Sequence, residues 1–385
     1  NKTTMAKINV RSPYFVNVDI ATITSAKIEI LIYEGFANAS WQGSPQYTLT
    51  STAIDAKVNF EIAELIKDYI PAQFNGGYTL GSTGDIKRAT TINVDYRVTP
   101  YIGATAQTVI EVLGAVAFYG YGFFEDGANP QLLQGYLQSN TTILKSDDDA
   151  LRVPVDSDNT TSVAFFYQNQ QILSWTPIVG LKTQDKIQYV STASIYVDNY
   201  RERVIASGGT FEDNPCLQDF LRNETIYPVD EVIIDSIEGV TVLNIENVEE
   251  CKYTPYKLTF INKFGAYQDI WFFKNSKLNM ATNEERYKSN ILTNGTYQTY
   301  NPQIKVLTKN GKRSLTLNSG FYPESNNKVF EQLFLSEKVW IEYKAKTLGV
   351  NIESKTFNYK NSLTDGLINY TIDVSFAFDT INNIR

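Results

Sequence analysis

Along most of the chain, apolar and polar residues alternate one for one. Ile28, Ile30 and Ile32 are separated by Glu29 and Leu31 and follow Lys27, and Ile92, Val94, Tyr96 and Val98 alternate with Asn93, Asp95 and Arg97. The clearest run closes the chain. Ile368, Tyr370, Ile372, Val374, Phe376 and Phe378 share one side, and Asn369, Thr371, Asp373, Ser375 and Ala377 the other. A period of two puts successive side chains on opposite sides of an extended backbone, so these stretches predict antiparallel strands with one buried face. The last run is about twice the usual strand length. That length suits a strand spanning its own domain, or a sheet that continues into a neighbouring subunit.

Helical spacing is rare. Ile62, Leu65, Ile66 and Tyr69 fall at i, i+3, i+4 and i+7, which predicts a short amphipathic helix over Glu61 to Ile70, ended by Pro71. Val329, Phe330 and Leu333 predict a second over Asn326 to Leu335, and a weaker pattern follows Pro215 from Cys216 to Arg222. Lys309-Asn310-Gly311-Lys312 lies between two apolar runs. Asn-Gly is the strongest two-residue hairpin signal, because both central positions need positive φ. A tight turn is expected there, with Lys312 and Arg313 at a solvated tip.

The fold class these patterns predict is mainly β: tandem antiparallel β-sandwich modules with a few short helices. Residues 1–125 fit an immunoglobulin- or fibronectin-III-like sandwich, although the Cys–Trp–Cys core of antibody domains is missing. Residues 126–250 form a second β-domain. Residues 251–385 form a third, which holds the expected hairpin and the long terminal strand. The Gly- and aromatic-rich stretch from Tyr119 to Pro130 marks the first boundary or an exposed contact. No repeat of 20–50 residues is evident, which argues against a solenoid.

Composition narrows the chemistry. The chain has 385 residues and no histidine. This removes Ser-His-Asp and Cys-His catalysis, HExxH zinc sites and histidine-ligated haem. The net charge is −8 and no cluster of four or more Lys/Arg occurs, so nucleic acid is not an expected partner. Charged interruptions and glycines break the most apolar run, Val109 to Phe124, so no spanning segment and no membrane partner are expected. Residues 1–20 lack a basic region followed by an apolar block, so no secretory leader is expected. Two cysteines, Cys216 and Cys251, are too few for a disulfide framework and read as unpaired thiols.

The candidate sites are sparse. Asp147-Asp148-Asp149 with Asp156 and Asp158 is the densest acidic patch, and close carboxylates can hold Ca²⁺. The EF-hand pattern fails because Thr161 stands where its turn glycine belongs, so a solvated acidic loop is the plainer reading. Glu249-Glu250 and Glu125-Asp126 could serve a glycosidase, which needs only two carboxyls, but such adjacent pairs arise by chance. No phosphate-binding glycine loop is present, and Gly120-Tyr121-Gly122 reads as packing or an interface. Catalytic, metal and cofactor residues are therefore expected to be none. Aromatic residues make up 13% of the chain. Trp271-Phe272-Phe273 and Phe165-Phe166-Tyr167 read as strand cores, and the remaining tyrosines favour contact surfaces.

The segment from Cys251 to Lys274, CKYTPYKLTFINKFGAYQDIWFFK, resembles virion structural proteins of tailed bacteriophages that infect Bacteroidetes, crAss-like and marine flavobacterial phages among them. Ser314 to Phe321 with Glu331 to Ser336, and Leu367 to Asp379, are similar to the same family. Ala6 to Phe15 with Val58 to Lys67 is similar to its N-terminal Ig-like module. The resemblance covers the first and last thirds of the chain and brings no active-site residues with it. It implies a non-enzymatic virion component, assembled in the bacterial cytoplasm and leaning to tail, collar or baseplate. Its expected partners are copies of itself and other virion proteins. Capsid decoration and a receptor- or glycan-binding adhesin are the alternatives.

Overall fold

The computed structural model describes residues 6–76, 90–131, 135–147, 149, 151–177, 186–191, 229–360 and 366–382. The protein is mainly β, with several sheets and few short helices. The pattern over Cys216 to Arg222 lies outside the described residues.

The N-terminal part holds β1 (Lys7–Asn9), β2 (Phe15–Asp19), β3 (Ser25–Tyr33), β4 (Tyr47–Thr52), β5 (Lys57–Glu61), β6 (Thr91–Ile102), β7 (Thr105–Ala106) and β8 (Ile110–Phe118). One sheet runs β1-β8-β6-β3-β4 with β7 on β6, and β2 pairs with β5. This is an immunoglobulin-type sandwich, with β3, β6 and β8 in the places of strands C, F and G and with β2 and β5 in those of B and E. Ile28, Ile30, Val94 and Val98 from one sheet meet Val16, Val18, Val58 and Phe60 from the other in a single core. The first predicted helix is shorter than its pattern, α1 (Ala63–Lys67). Of the predicted stripe, Ile62 and Ile66 are buried and Leu65 is partly buried against the core, whereas Tyr69 lies outside; Ile70, off the predicted stripe, is buried in its stead.

Next come β9 (Thr142–Ser146), β10 (Arg152–Asp156), β11 (Thr160–Tyr167), β12 (Gln170–Trp175), β13 (Ile187–Ser191), β14 (Glu231–Ser236) and β15 (Gly239–Val248). They form a sheet in the order β12-β11-β14-β15-β9 and a β10-β13 pair. The C-terminal part holds β16 (Tyr256–Ile261), β17 (Tyr267–Phe272), β18 (Lys274–Lys288), β19 (Ile304–Asn318), β20 (Tyr322–Pro323), α2 (Asn327–Leu335), β21 (Val339–Tyr343), β22 (Lys346–Ile352), β23 (Leu367–Ile368) and β24 (Thr371–Phe376). Its seven-stranded sheet runs β17-β16-β21-β22-β24-β19-β18. Helix α2 covers it through Val329, Phe330 and Leu333, and the Phe330 ring lies 4.5 Å from Tyr370 and 5.4 Å from Tyr322. One apolar cluster runs without a break from Tyr136 to Phe376, on both sides of residue 250.

Two sequence expectations fail, for local reasons. Lys309-Asn310-Gly311-Lys312 is no turn: it lies inside the 15-residue strand β19, with Asn310 opposite Asn283 and Gly311 opposite Thr282. The turn sits instead at Asn294-Gly295, where both residues have positive φ, 52° and 78°, between the bridged Thr293 and Thr296. A two-residue turn signal is local, and the long partner strand β18 overrides it at 310–311. The terminal strand is also split. Tyr370 bonds to Ser319 through both backbone groups and sends its hydroxyl to Asn327 Oδ1 at 2.5 Å, so residues 369–370 leave the ladder between β23 and β24. Ile368 to Phe376 keep their buried side, but Phe378 is exposed.

Candidate interaction surface

The carboxylates singled out in the sequence do not converge. Asp149 accepts from the Trp271 indole at 2.6 Å and from Lys257 at 3.1 Å. Asp156 is buried and bound by Lys7 and by Asn159, and Asp158 binds Lys186 at 2.8 Å. Asp149 precedes β10 and Asp156 ends it, about 13 Å of extended backbone from its first residue, Arg152. Asp147 is exposed, and Asp148 lies outside the described residues. Among the described residues no group of three Cys, Asp or Glu side chains is placed to hold a metal ion. Glu250 binds Lys274 at 2.5 Å, and Asp126 accepts from the Phe123 amide at 2.8 Å in an exposed turn. Cys251 is an exposed free thiol, and Cys216 lies outside the described residues.

The ion pairs explain these placements. Burial alone would lower the pKa of the Lys257 ammonium. Asp269, Asp149 and Glu342 outweigh both burial and the nearby Arg152, and they hold it above its ordinary value. Such a group is a charged structural post under the β16–β21 ladder.

The run from Trp271 to Phe273 is a packing element, whereas of Phe165-Phe166-Tyr167 only Phe165 is buried, because strand alternation turns Phe166 to the other side of its sheet. Trp271, Phe272 and Phe273 are all buried, because β17 is covered on both sides. Trp271 points to Asp149, while Phe272 meets Phe330 at 6.2 Å. Gly120 serves close approach: a Cβ there would come within 2.5 Å of the Lys263 carbonyl, which accepts from the Tyr121 amide at 2.8 Å. The reading of Gly120-Tyr121-Gly122 as packing therefore acquires a specific partner.

What the sequence did not reveal is the hairpin made by β18 and β19. At its base Leu315 and Leu317 belong to the core. β24 accompanies β19 only from Ser314 to Asn318, and the stretch Asp379 to Ile381 touches Asn310 and Gly311. Beyond that, residues 284–288 and 304–309 project as a two-stranded arm, about 17 Å long at 3.3–3.4 Å per residue. The side chains of opposed residues share a face. Pairing therefore sets Met280, Arg286 and Lys288 beside Arg313, Val306 and Ile304, with Tyr287 and Lys305 on the other face. Leu307 is the extra residue of a β-bulge, since Glu285 faces Thr308 and Arg286 faces Val306. Beyond the strands, Leu292, Tyr297 and Tyr300 are exposed, Tyr300 to 84%.

The arm has no core of its own. A two-stranded hairpin is marginal in water, and long apolar edge strands pair readily with other chains. Glu284 gives it an ionic clasp, binding Arg286 and, at 3.2 Å, Lys309. These cations hold the Glu284 carboxyl below its ordinary range. Met280, Tyr287, Ile304, Val306 and Leu307 nevertheless face solvent. A cluster of exposed apolar side chains on a protruding element is the signature of a contact surface.

No family model matches the chain, and no curated protein matches it. Among solved structures, one described as a 1.5-MDa bacterial ice-binding adhesin aligns over 96% of this chain and 93% of its own, at 6% identity and a TM-score of 0.17. A superposition that loose carries no argument. Among the described residues no helix is long and apolar enough to cross a membrane.

Proposed function

We propose that this chain is a non-enzymatic structural component of a tailed bacteriophage virion, in the tail, collar or baseplate, and that it works through contacts between subunits. The observation that carries this reading is the projecting arm, with apolar side chains exposed along both strands and at its tip. Such an arm is stabilised by what covers it. The packed body behind it, with buried charges such as Asp156 and Lys257 held in ion pairs, suits a building block. The phage-like segments supply the particular assembly. A reconstruction of the particle tests this directly: the chain should occupy repeated, symmetry-related positions with its arm buried. A particle that lacks the chain would overturn the proposal.

A second reading rests on Tyr297 and Tyr300, exposed at the end of the arm. Tyrosine stacks on sugars as readily as on protein, so the same tip fits a receptor- or glycan-binding adhesin. Glycan-array binding that is lost in a Tyr297→Ala, Tyr300→Ala variant would favour it.

A further inference from the structure

The arm is basic. Between Met280 and Arg313 stand Arg286, Lys288, Lys305, Lys309, Lys312 and Arg313, against Glu284 and Glu285 alone. The chain as a whole carries −8, so the rest is more acidic than the total suggests. Glu284 is already committed to Arg286 and Lys309. Arg286, Lys288 and Arg313 lie on the same face as Met280, Ile304 and Val306.

A surface of the opposite character exists on this chain. The sheet containing β11, β14 and β15 buries one side, through Val163, Phe165, Val232, Ile234, Leu243 and Ile245. Its other side carries Phe166, Ile233, Val240 and Val242 together with Glu231, Asp235 and Glu246. Val240 is 66% exposed. None of these three strands contains a lysine or arginine. Beside Val240 opens a groove of about 470 Å³, lined by Tyr136, Ser139, Thr141 and Glu238 among others. Among the described residues β9 pairs only with Asn244 to Val248, and no other strand pairs with that edge of β15 from Gly239 to Leu243.

We propose that the basic, apolar face of the arm docks on the acidic, apolar face of the β11–β14–β15 sheet in a second copy of this chain. Lys288 and Arg313 meet Glu231, Asp235 and Glu246. Met280, Ile304 and Val306 cover Val240, Val242 and Ile233, and the tip tyrosines seat in the groove. The argument is complementarity on two counts at once, since each surface is apolar and the two carry opposite net charge. The inference rests on the structural-subunit reading and names the partner of its arm.

The test is a charge swap in the full chain, read by sedimentation velocity over a concentration series. Lys288→Glu with Arg313→Glu should weaken self-association at least about tenfold, and so should Glu231→Lys with Glu246→Lys. All four positions lie on solvent-facing sides of their strands, and unchanged thermal unfolding together with unchanged amide exchange along β18 confirms that both variants keep the body and the arm folded. Mixing the two variants should restore association as a one-to-one complex. Self-association that survives both swaps, a mixture that does not recover, or a wild-type chain that stays monomeric would each overturn the inference. So would an arm whose cations retain a DNA duplex while copies of the chain do not associate. These outcomes leave the virion role standing, because an arm seated on a different structural protein in the particle is compatible with that role.

Discussion

Trp271 donates its indole N–H to Asp149 Oδ2 at 2.6 Å, and this one bond ties the sheet of the C-terminal part to the start of β10. Lys257 reaches the other oxygen of the same carboxylate at 3.1 Å. Replacing Asp149 with Ala strips a buried indole and a buried ammonium of a partner together. The expected cost is about 1–3 kcal/mol. Urea denaturation of the full chain checks it, with Asp147→Ala as the comparison: Asp147 is exposed, and its loss should change stability by less than about 0.5 kcal/mol.

The two Asn-Gly pairs should respond oppositely to substitution. Gly295 has φ of 78° and needs the left-handed region, which a β-branched residue rarely adopts. Gly295→Val should cost the arm about 1–2 kcal/mol. At Gly311 the backbone is extended, and an added Cβ would meet Met280 Sδ at 3.2 Å and Thr380 Oγ1 at 3.4 Å. Gly311→Ala should therefore cost little. Amide hydrogen exchange along β18 is the suitable measurement, because it reports local opening of the arm that global unfolding does not see.

Asn262 is fully buried and meets four partners. Its Nδ2 donates to the Leu137 carbonyl at 2.7 Å and to Gln268 Oε1 at 3.0 Å, while its Oδ1 accepts from the Phe264 and Ala266 amides. The side chain thus holds the β16–β17 turn against residue 137. Asn262→Ala leaves backbone groups unpaired in the interior and should destabilise by about 3 kcal/mol, measured as a shift in the urea midpoint.

Glu337 supplies a pH dependence. Burial alone would raise its pKa, but the Tyr119 hydroxyl at 2.7 Å, Lys67 at 3.0 Å and Arg11 together hold it below its ordinary value of 4.5. A depressed carboxyl stabilises the fold above its unfolded pKa, and that stabilisation is lost as pH falls through the folded one. Glu337→Gln should therefore be less stable than the wild type at neutral pH. It should also lose less on acidification from pH 7 to well below 4.5, which a pair of denaturation curves will show.

Much of the fold is legible in the alternation, and the reasons for the failures are specific. Ile28, Ile30, Ile32, Val94 and Val98 are buried where a period of two puts them. Helix α2 begins at Asn327 and buries Val329, Phe330 and Leu333, as the spacing requires. The continuous run Trp271-Phe272-Phe273 shows no alternation because β17 has no solvent face. The acidic patch was read without its cations: Lys7, Lys186 and Lys257 are far away in sequence and reach it only through the fold. The arm escaped for a related reason. Its cations come from two strands separated by a 15-residue tip, so no run of basic residues marks it. Its apolar residues also imitate a core strand until it is seen that, among the described residues, no third strand pairs with residues 304–309.

The single extra residue at Leu307 has a geometric consequence. A β-bulge bends a ladder and increases its twist, so it sets the direction in which the end of the arm leaves the body. An arm that seats on a different patch of the next copy makes a head-to-tail contact. Repeating that contact generates either a closed ring or an open helix, depending only on the rotation between neighbours. The bulge acts on that rotation, and with it on how many copies complete a circle. The diameter of such a ring would then follow from the position of one leucine between two ladder pairs.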